Sequence, residues 1–275
     1  MPNRLIAPAA LLLALTAAAC DVKVGEGGFS IEPAQGKAND EWKRSYTLAA
    51  GGKLEISNSF GNIEVFAAKG PQVEVTAARE LRMRTPEEAQ AALKDIQMIE
   101  SVSADSVRIE TPTQESSRRE QSRSGFLTVN YRVGVPAALQ VTLKTENGQI
   151  SVEKVDSGIS ATTTNGNVTA RGVSGPLEAT TVNGGVTVDI AGALKGNIIV
   201  NGVNGGVRLN VETPVDAELD LSAVNGGVSV DEGIEKMLST SKKDRTAIRG
   251  RLNQGGPRVA AHIVNGVVRV TSDSR

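Results

Sequence analysis

The chain has 275 residues, a formal net charge of −1 and a pI near 6.0, so it lacks the basic field that general nucleic-acid binding requires. Hydrophobic residues make up 39% and charged residues 22%, ordinary values for a folded chain of one or two domains. Aromatics reach only 3% while glycines number 29, which fits a thin, regular β-structure better than a large enzyme core.

The first segment reads as an export signal over residues 1–19. Met1 to Arg4 carries positive charge, Leu5 to Leu15 is apolar, and Ala17, Ala18 and Ala19 form a small-residue cleavage region. The apolar stretch is shorter than the roughly 20 residues a membrane-spanning helix needs. The only cysteine, Cys20, follows at once, so no intramolecular disulfide can form. Ala17-Ala18-Ala19-Cys20 resembles a bacterial lipoprotein box. That resemblance implies an acylated Cys20 as first mature residue and an exported protein, periplasmic or cell-surface, held to a bacterial membrane by its N-terminal lipid. The alternative is plain cleavage that leaves a free thiol. Residues 20–41, rich in Gly, Glu, Lys and Ala without periodicity, read as the lipidated cysteine and a flexible tether.

Residues 42–130 read as strands plus one helix, continuous with the repeat region at 131–275. Ser45 to Leu48, Lys53 to Ile56, Asn62 to Phe66 and Gln72 to Thr76 alternate with period two between Gly and Pro punctuation. A helix is predicted near residues 85–100, where Thr85 and Glu88 form a capping box around Pro86. Ala89, Ala92, Leu93, Ile96 and Ile99 give it one apolar stripe for packing on a sheet. Ser106 to Glu110 returns to strand. Thr113 to Ser124 reads as a solvated loop; its Arg118, Arg119 and Arg123 suit anionic lipid headgroups, but Glu115 and Glu120 offset them.

Residues 131–275 carry a repeat. Asn-Gly recurs at Asn147, Asn165, Asn183, Asn204, Asn225 and Asn265, with gaps of 18, 18, 21, 21 and then 40 residues. A period of about 20 in a β-rich chain predicts an all-β solenoid whose coils each stack on the last. Three and five residues after each Asn stand Ile150/Val152, Val168/Ala170, Val186/Val188, Val207/Leu209, Val228/Val230 and Val268/Val270, expected to face inward. The polar residues between and after them, Glu153, Arg171, Asp189, Asn210 and Asp231 among them, are expected to face water. Positive φ at tight corners accounts for Asn-Gly, and stacked Asn side chains about 4.8 Å apart would form a hydrogen-bonded ladder. Asn58-Ser59-Phe60-Gly61-Asn62 suggests an earlier, degenerate copy.

Val133-Gly134-Val135-Pro136 and the Asn-Gly-x-Val-x-Val coils, following an Ala-rich capped helix, resemble the β-strand-repeat domains known as toast-rack or adhesin-like. The resemblance spans roughly Trp42 to Val270 and implies a bacterial envelope domain of unknown function, with no family catalytic residues to carry over.

No constellation of residues announces catalysis, a cofactor or a metal. His262, the only histidine, falls in a polar outward column with Lys144, Thr162, Thr180, Asn201 and Ser222, and has no partner for a zinc site or a triad. The repeats lack the Gly-Gly-x-Gly-x-Asp pattern of calcium-binding coils. Glu153, Asp189 and Asp231 share an outward column whose two-coil spacing, roughly 9.6 Å, falls near the range for glycoside cleavage. No aromatic follows Tyr131 to seat a sugar. Val182, Val203, Val224 and Val264, each just before an Asn, would line up as an apolar surface stripe, a possible interface, unless the corner turns them inward or the N-terminal strands cover them. The sequence therefore reads as a non-catalytic binding or scaffold lipoprotein whose partner is another envelope protein or a sister copy. The alternatives are a polysaccharide-active enzyme using outer-face carboxylates and a ligand-sensing component of envelope-stress signalling.

Overall fold

A computed structural model describes residues 20–25, 28–33, 36–112, 125–137, 139–155 and 157–273. The expected signal at 1–19 and the arginine loop at 113–124 lie outside them. Among the described residues the chain is all-β with two helices.

Strands β1 (Cys20–Gly25) and β2 (Gly28–Pro33) form an antiparallel hairpin. Strand β3 (Gly36–Tyr46) then pairs antiparallel along its whole length with β6 (Val73–Met83). The tether expected over residues 20–41 thus contains paired strands. Gly36, Ala38, Trp42 and Tyr46 recur at even spacing and supply a half-buried face, a pattern that the charged residues between them conceal.

Between them come β4 (Lys53–Phe60) and β5 (Ile63–Ala67); β6 leads into α1 (Pro86–Asp95), β7 (Ile99–Val102), β8 (Ser106–Glu110) and β9 (Phe126–Val135). The Thr85 side chain accepts from the Glu88 amide at 3.2 Å, and Ala89 and Leu93 bury the helix on the sheet. The helix ends sooner than its apolar stripe suggests. Ile96 is extended, its carbonyl takes a hydrogen bond from Arg79 Nη1 at 2.7 Å, and Ile99 lies in β7, 48% exposed. Arg79, only 9% exposed, also holds Asp40 through two nitrogens at 2.7 and 2.5 Å, so one side chain ties helix end, β6 and β3 together.

The second half contains β10 (Gln140–Asn147), β11 (Ile150–Glu153), β12 (Gly158–Asn165), β13 (Val168–Val173), β14 (Leu177–Asn183) and β15 (Val186–Ile190). The long strands β16 (Ile198–Glu212) and β17 (Ala217–Val230) follow, then α2 (Glu232–Met237), β18 (Leu238–Lys243), β19 (Ala247–Leu252) and β20 (Arg258–Asp273). Each Asn-Gly pair separates a strand segment before it from one after it. Segments before the corners pair in parallel as β8, β4, β10, β12, β14, β16, β20, β17. Segments after them pair in parallel as β9, β5, β11, β13, β15, β16, β20, β17. Residues three and five positions after each corner Asn, from Ile150 and Val152 to Val268 and Val270, are buried in one hydrophobic cluster, except Val228 and Val230, which pack against it half-buried. Burying each such Val or Leu contributes about 1.5–3 kcal/mol, which beats the modest β-propensity differences among side chains.

Two features depart from simple stacking in chain order. Strand β20 lies between β16 and β17, so the Asn-Gly corners follow the spatial order 147, 165, 183, 204, 265, 225. The strand at the far edge of β17 is β19, antiparallel, with β18 beyond it. Parallel pairing to β20 leaves β17 one open edge, and the short return through α2 reverses the chain onto it. Second, the N-terminal copy aligns Phe60, and not Asn58, with Asn147. Asn58 is buried instead, giving its amide to the carbonyls of Gly61 and Val129 and accepting from Thr111.

Candidate interaction face

The corner side chains form a continuous line of hydrogen bonds. Asn165 donates to Asn147 at 3.0 Å, Asn183 to Asn165 at 2.9 Å, and Asn204 to Asn183 at 3.0 Å. Asn265 donates to Asn204 at 2.8 Å and Asn225 to Asn265 at 2.9 Å. None of these six residues adopts positive φ. The glycines that follow do so at three corners, Gly184 (157°), Gly205 (147°) and Gly266 (150°), and close approach gives a second reason for glycine at the corners. A Cβ on Gly166 would lie 1.9 Å from the Gly148 carbonyl oxygen, and one on Gly226 would lie 1.6 Å from that of Gly266. The backbone of each repeat rests directly on the one before.

Two residues before the Asn, a column of threonines braces the same contact. Thr145, Thr163 and Thr181 are buried and donate to the carbonyls of Gly61, Gly148 and Gly166 at 3.1, 2.9 and 2.9 Å. The recurrence of Thr at this offset in three successive repeats is a sequence signal that hydrophobic patterning passes over.

One residue before the Asn, Val182, Val203, Val264 and Val224 occupy adjacent repeats and are 37%, 37%, 40% and 70% exposed. The corner does not turn them inward. Val267, on the far side of the Asn265-Gly266 corner, is 47% exposed. Toward β10 the same column holds Thr164 and Glu146, so the apolar strip is confined to the β17 end.

The outward carboxylates are dispersed. Glu153, Arg171, Asp189, Asn210 and Thr271 align, but Asp189 accepts from Asn210 at 2.6 Å and Asn210 from Thr271 at 2.8 Å. Asp231 leaves the column to cap α2, accepting from the Ile234 amide at 2.9 Å and from the Ser272 amide and hydroxyl at 2.7 and 2.9 Å. Burial pushes its carboxyl up, but those donors hold it below the ordinary carboxylate range. Of the three outward acids, Asp189 and Asp231 thus each accept hydrogen bonds from neighbouring strands or α2. His262 lies in register with Asn201 and Ser222 and hydrogen-bonds Ser222 Oγ through Nδ1 at 2.7 Å.

One depression of about 470 Å³ lies on the face of β17, β19 and β18, lined by Asp220, Ser239, Thr240, Arg249, Arg251 and Arg258. Arg249 Nε and Arg258 Nη2 bind the two oxygens of Asp220 at 2.9 and 2.5 Å. Burial raises the Asp220 carboxyl and the two guanidinium groups more than offset it, so its pKa falls below the usual value. Sequence periodicity does not bring these residues together, because Arg249 reaches Asp220 only through the antiparallel return of β19. No helix among the described residues is long and apolar enough to cross a membrane.

The chain belongs to the Toastrack DUF4097 family, which matches residues 22–271. No curated protein matches it. Among solved structures it is similar to a candidate cell adhesion protein from Clostridium sporogenes, at 10% identity and a TM-score of 0.47, covering 86% of this chain and all (100%) of that one. A candidate adhesin from Bacteroides fragilis is 11% identical with a TM-score of 0.35, over 85% of this chain and 97% of its own. A candidate lipid-binding protein from Parabacteroides distasonis is 8% identical with a TM-score of 0.30, over 85% and 97%.

Proposed function

We propose that this Toastrack chain is an exported envelope protein, anchored through a lipid on Cys20, that acts as a non-catalytic binding or scaffold module. In this reading residues 1–19 are removed, the strands after Cys20 stand between membrane and body, and the stacked repeats form a β-solenoid with Asn-Gly corners. The Asn ladder keeps the corners aligned. The partner is another envelope protein or a second copy of the chain.

One observation carries this reading: four exposed valines on four adjacent repeats form a straight apolar strip at one end of the corner edge. Strands in register set the valines about 4.8 Å apart, so a flat partner meets a continuous surface. Val203→Lys with Val224→Lys should abolish capture of the partner from cross-linked envelopes and leave the melting temperature unchanged. Retained capture by a folded double variant removes the strip from the proposal. Cys20→Ser should release the folded protein from membranes, and continued membrane association would remove the lipid anchor.

The arginine-lined depression favours one second reading, ligand sensing for a membrane partner. Inorganic phosphate should then raise the melting temperature, and Arg251→Ala should cancel the shift. The hydrogen bonds of Asp231 to α2 and the C-terminal strand speak against its use in the alternative, a glycan-cleaving role, which leaves Glu153 and Asp189 as the outward acids of that column.

A further inference from the structure

Seven Asn-Gly pairs share one covalent chemistry but not one environment: six stand at the corners, and the seventh, Asn201-Gly202, lies inside β16, paired on both sides by β14 and β20. An Asn-Gly peptide can react with itself: the glycine nitrogen attacks the Asn side-chain Cγ, a proton leaves that nitrogen, and the side-chain nitrogen departs as ammonia. The resulting succinimide takes up one water and opens to aspartate or isoaspartate. Attack requires a glycine N–H free of its acceptor and an Asn side chain free to swing toward it.

Inside the stack neither freedom exists. The Gly148 amide donates to Asn165 O at 3.0 Å, Gly166 to Asn183 O at 3.0 Å, and Gly184 to Asn204 O at 2.9 Å. The parallel register carries the same direction onward from Gly205 to Gly266 to Gly226. The side chains of Asn165, Asn183, Asn204 and Asn265 are each held twice, once as donor and once as acceptor. Asn147 also holds both roles, donating to the Ser59 carbonyl at 3.4 Å.

Asn225 differs on both counts. It stands in the last repeat, so no further Asn carbonyl waits for the Gly226 amide. On that open edge the 244–247 turn reaches the neighbouring amides, Thr246 O taking Ala223 and Arg245 O taking Val228, both at 2.9 Å, and passes Gly226 by. The Asn225 side chain donates to Asn265 but its Oδ1 receives no donor among the described residues. Solvent exposure does not separate the sites, since five of the six Asn residues are exposed. Hydrogen bonding does.

We infer that Asn225-Gly226 is a site of spontaneous covalent modification, converting through a succinimide to aspartate and isoaspartate while the five other corner pairs, and Asn201-Gly202 within β16, are protected by the fold. Conversion replaces the amide that donates to Asn265 Oδ1 with a carboxylate, which cannot donate. The isoaspartate product also lengthens the backbone at the edge beside Val224, at the exposed end of the apolar strip.

The test uses the intact chain. It is incubated folded at mildly alkaline pH and 37 °C (a condition of the experiment) and, in parallel, unfolded in urea, with peptide mass spectrometry and isoaspartyl methyltransferase labelling over time. The folded protein should gain acid and isoaspartate first in the peptide containing Asn225, and the unfolded chain should convert all seven Asn-Gly pairs at similar rates. Folded-state conversion that is equal across the seven, or faster at Asn165, Asn183 or Asn201, overturns the inference. So does an Asn225 peptide that stays intact in the folded protein while the unfolded chain reacts.

Discussion

Asn265 donates its side-chain amide to Asn204 at 2.8 Å although 61 residues separate them, and accepts from Asn225 at 2.9 Å across 40 residues. The last strand of the chain thus holds an interior place in the ladder, and Asn225, earlier in sequence, holds the end. Asn265→Ala removes two bonds and Asn225→Ala only one. Since a net hydrogen bond contributes about 0.5–1.5 kcal/mol, Asn265→Ala should cost about 2 kcal/mol and Asn225→Ala about 1 kcal/mol. Urea midpoints at constant slope measure this. The losses should be the same with calcium or chelator present, and calcium-dependent stability would mark the ladder as a metal site.

Gly166 and Gly158 occupy the same repeat, one at its corner and one at its first strand. A Cβ at Gly166 would stand 1.9 Å from a carbonyl oxygen, whereas at Gly158 nothing lies within 4 Å. Gly166→Ala should destabilise by about 3 kcal/mol, because one backbone must move off the other. Gly158→Ala should stay within about 0.5 kcal/mol of the parent. Similar losses at both positions would mean that backbone entropy, and not close approach, sets the requirement.

Arg79→Met keeps the apolar stem and deletes the donors to Asp40 and to the Ile96 carbonyl. Asp40 is 37% exposed, so solvent screens part of the lost pairing and a cost of about 2 kcal/mol is expected. The loss should concentrate in α1, read as faster amide exchange over Leu93 to Ile96. The exposed ion pair of Arg44 with Glu100 at 3.3 Å provides the contrast, and Arg44→Ala should change stability by less than about 1 kcal/mol.

Asp231 gives the fold an acid dependence whose sign is set by its lowered pKa. The folded value lies below the unfolded value of about 3.9, so its stabilisation is complete above that pH. It disappears as pH falls through the folded value. Asp231→Asn should lower stability at neutral pH and flatten the fall below about pH 4. An unchanged acid limb in the variant would assign that fall to other carboxylates, of which Asp220 is the first to substitute.

Much of this architecture was legible because side-chain alternation and the Asn-Gly spacing are local signals. Ile150, Val152, Leu143 and their counterparts declare an inner face through period two alone, and Thr85-Pro86 with Glu88 declares a helix start. What stayed hidden depends on which strand lies beside which. The gap of 40 residues before Asn265 reads as two repeats in a row, yet β18 and β19 turn back antiparallel within it. Helix α2 was missed because Glu232–Met237 is too short to show a helical stripe, and its Asp231 cap looks like one more outward acid. The Val224 strip was visible as a column, but its exposure depends on how the corner twists.

The insertion of β20 also orders events in time. A stack that grew only by addition would let each repeat dock as soon as the chain had produced it. Here β17 has no parallel neighbour until Arg258–Asp273 arrives, and the edge of β16 stays open for the same interval. These pairings span 40 to 61 residues of sequence, so closing them is slow compared with the steps of 18 to 21 residues before. Strand β20 thus acts as a keystone, and a protein without it would present two raw β-edges to its neighbours.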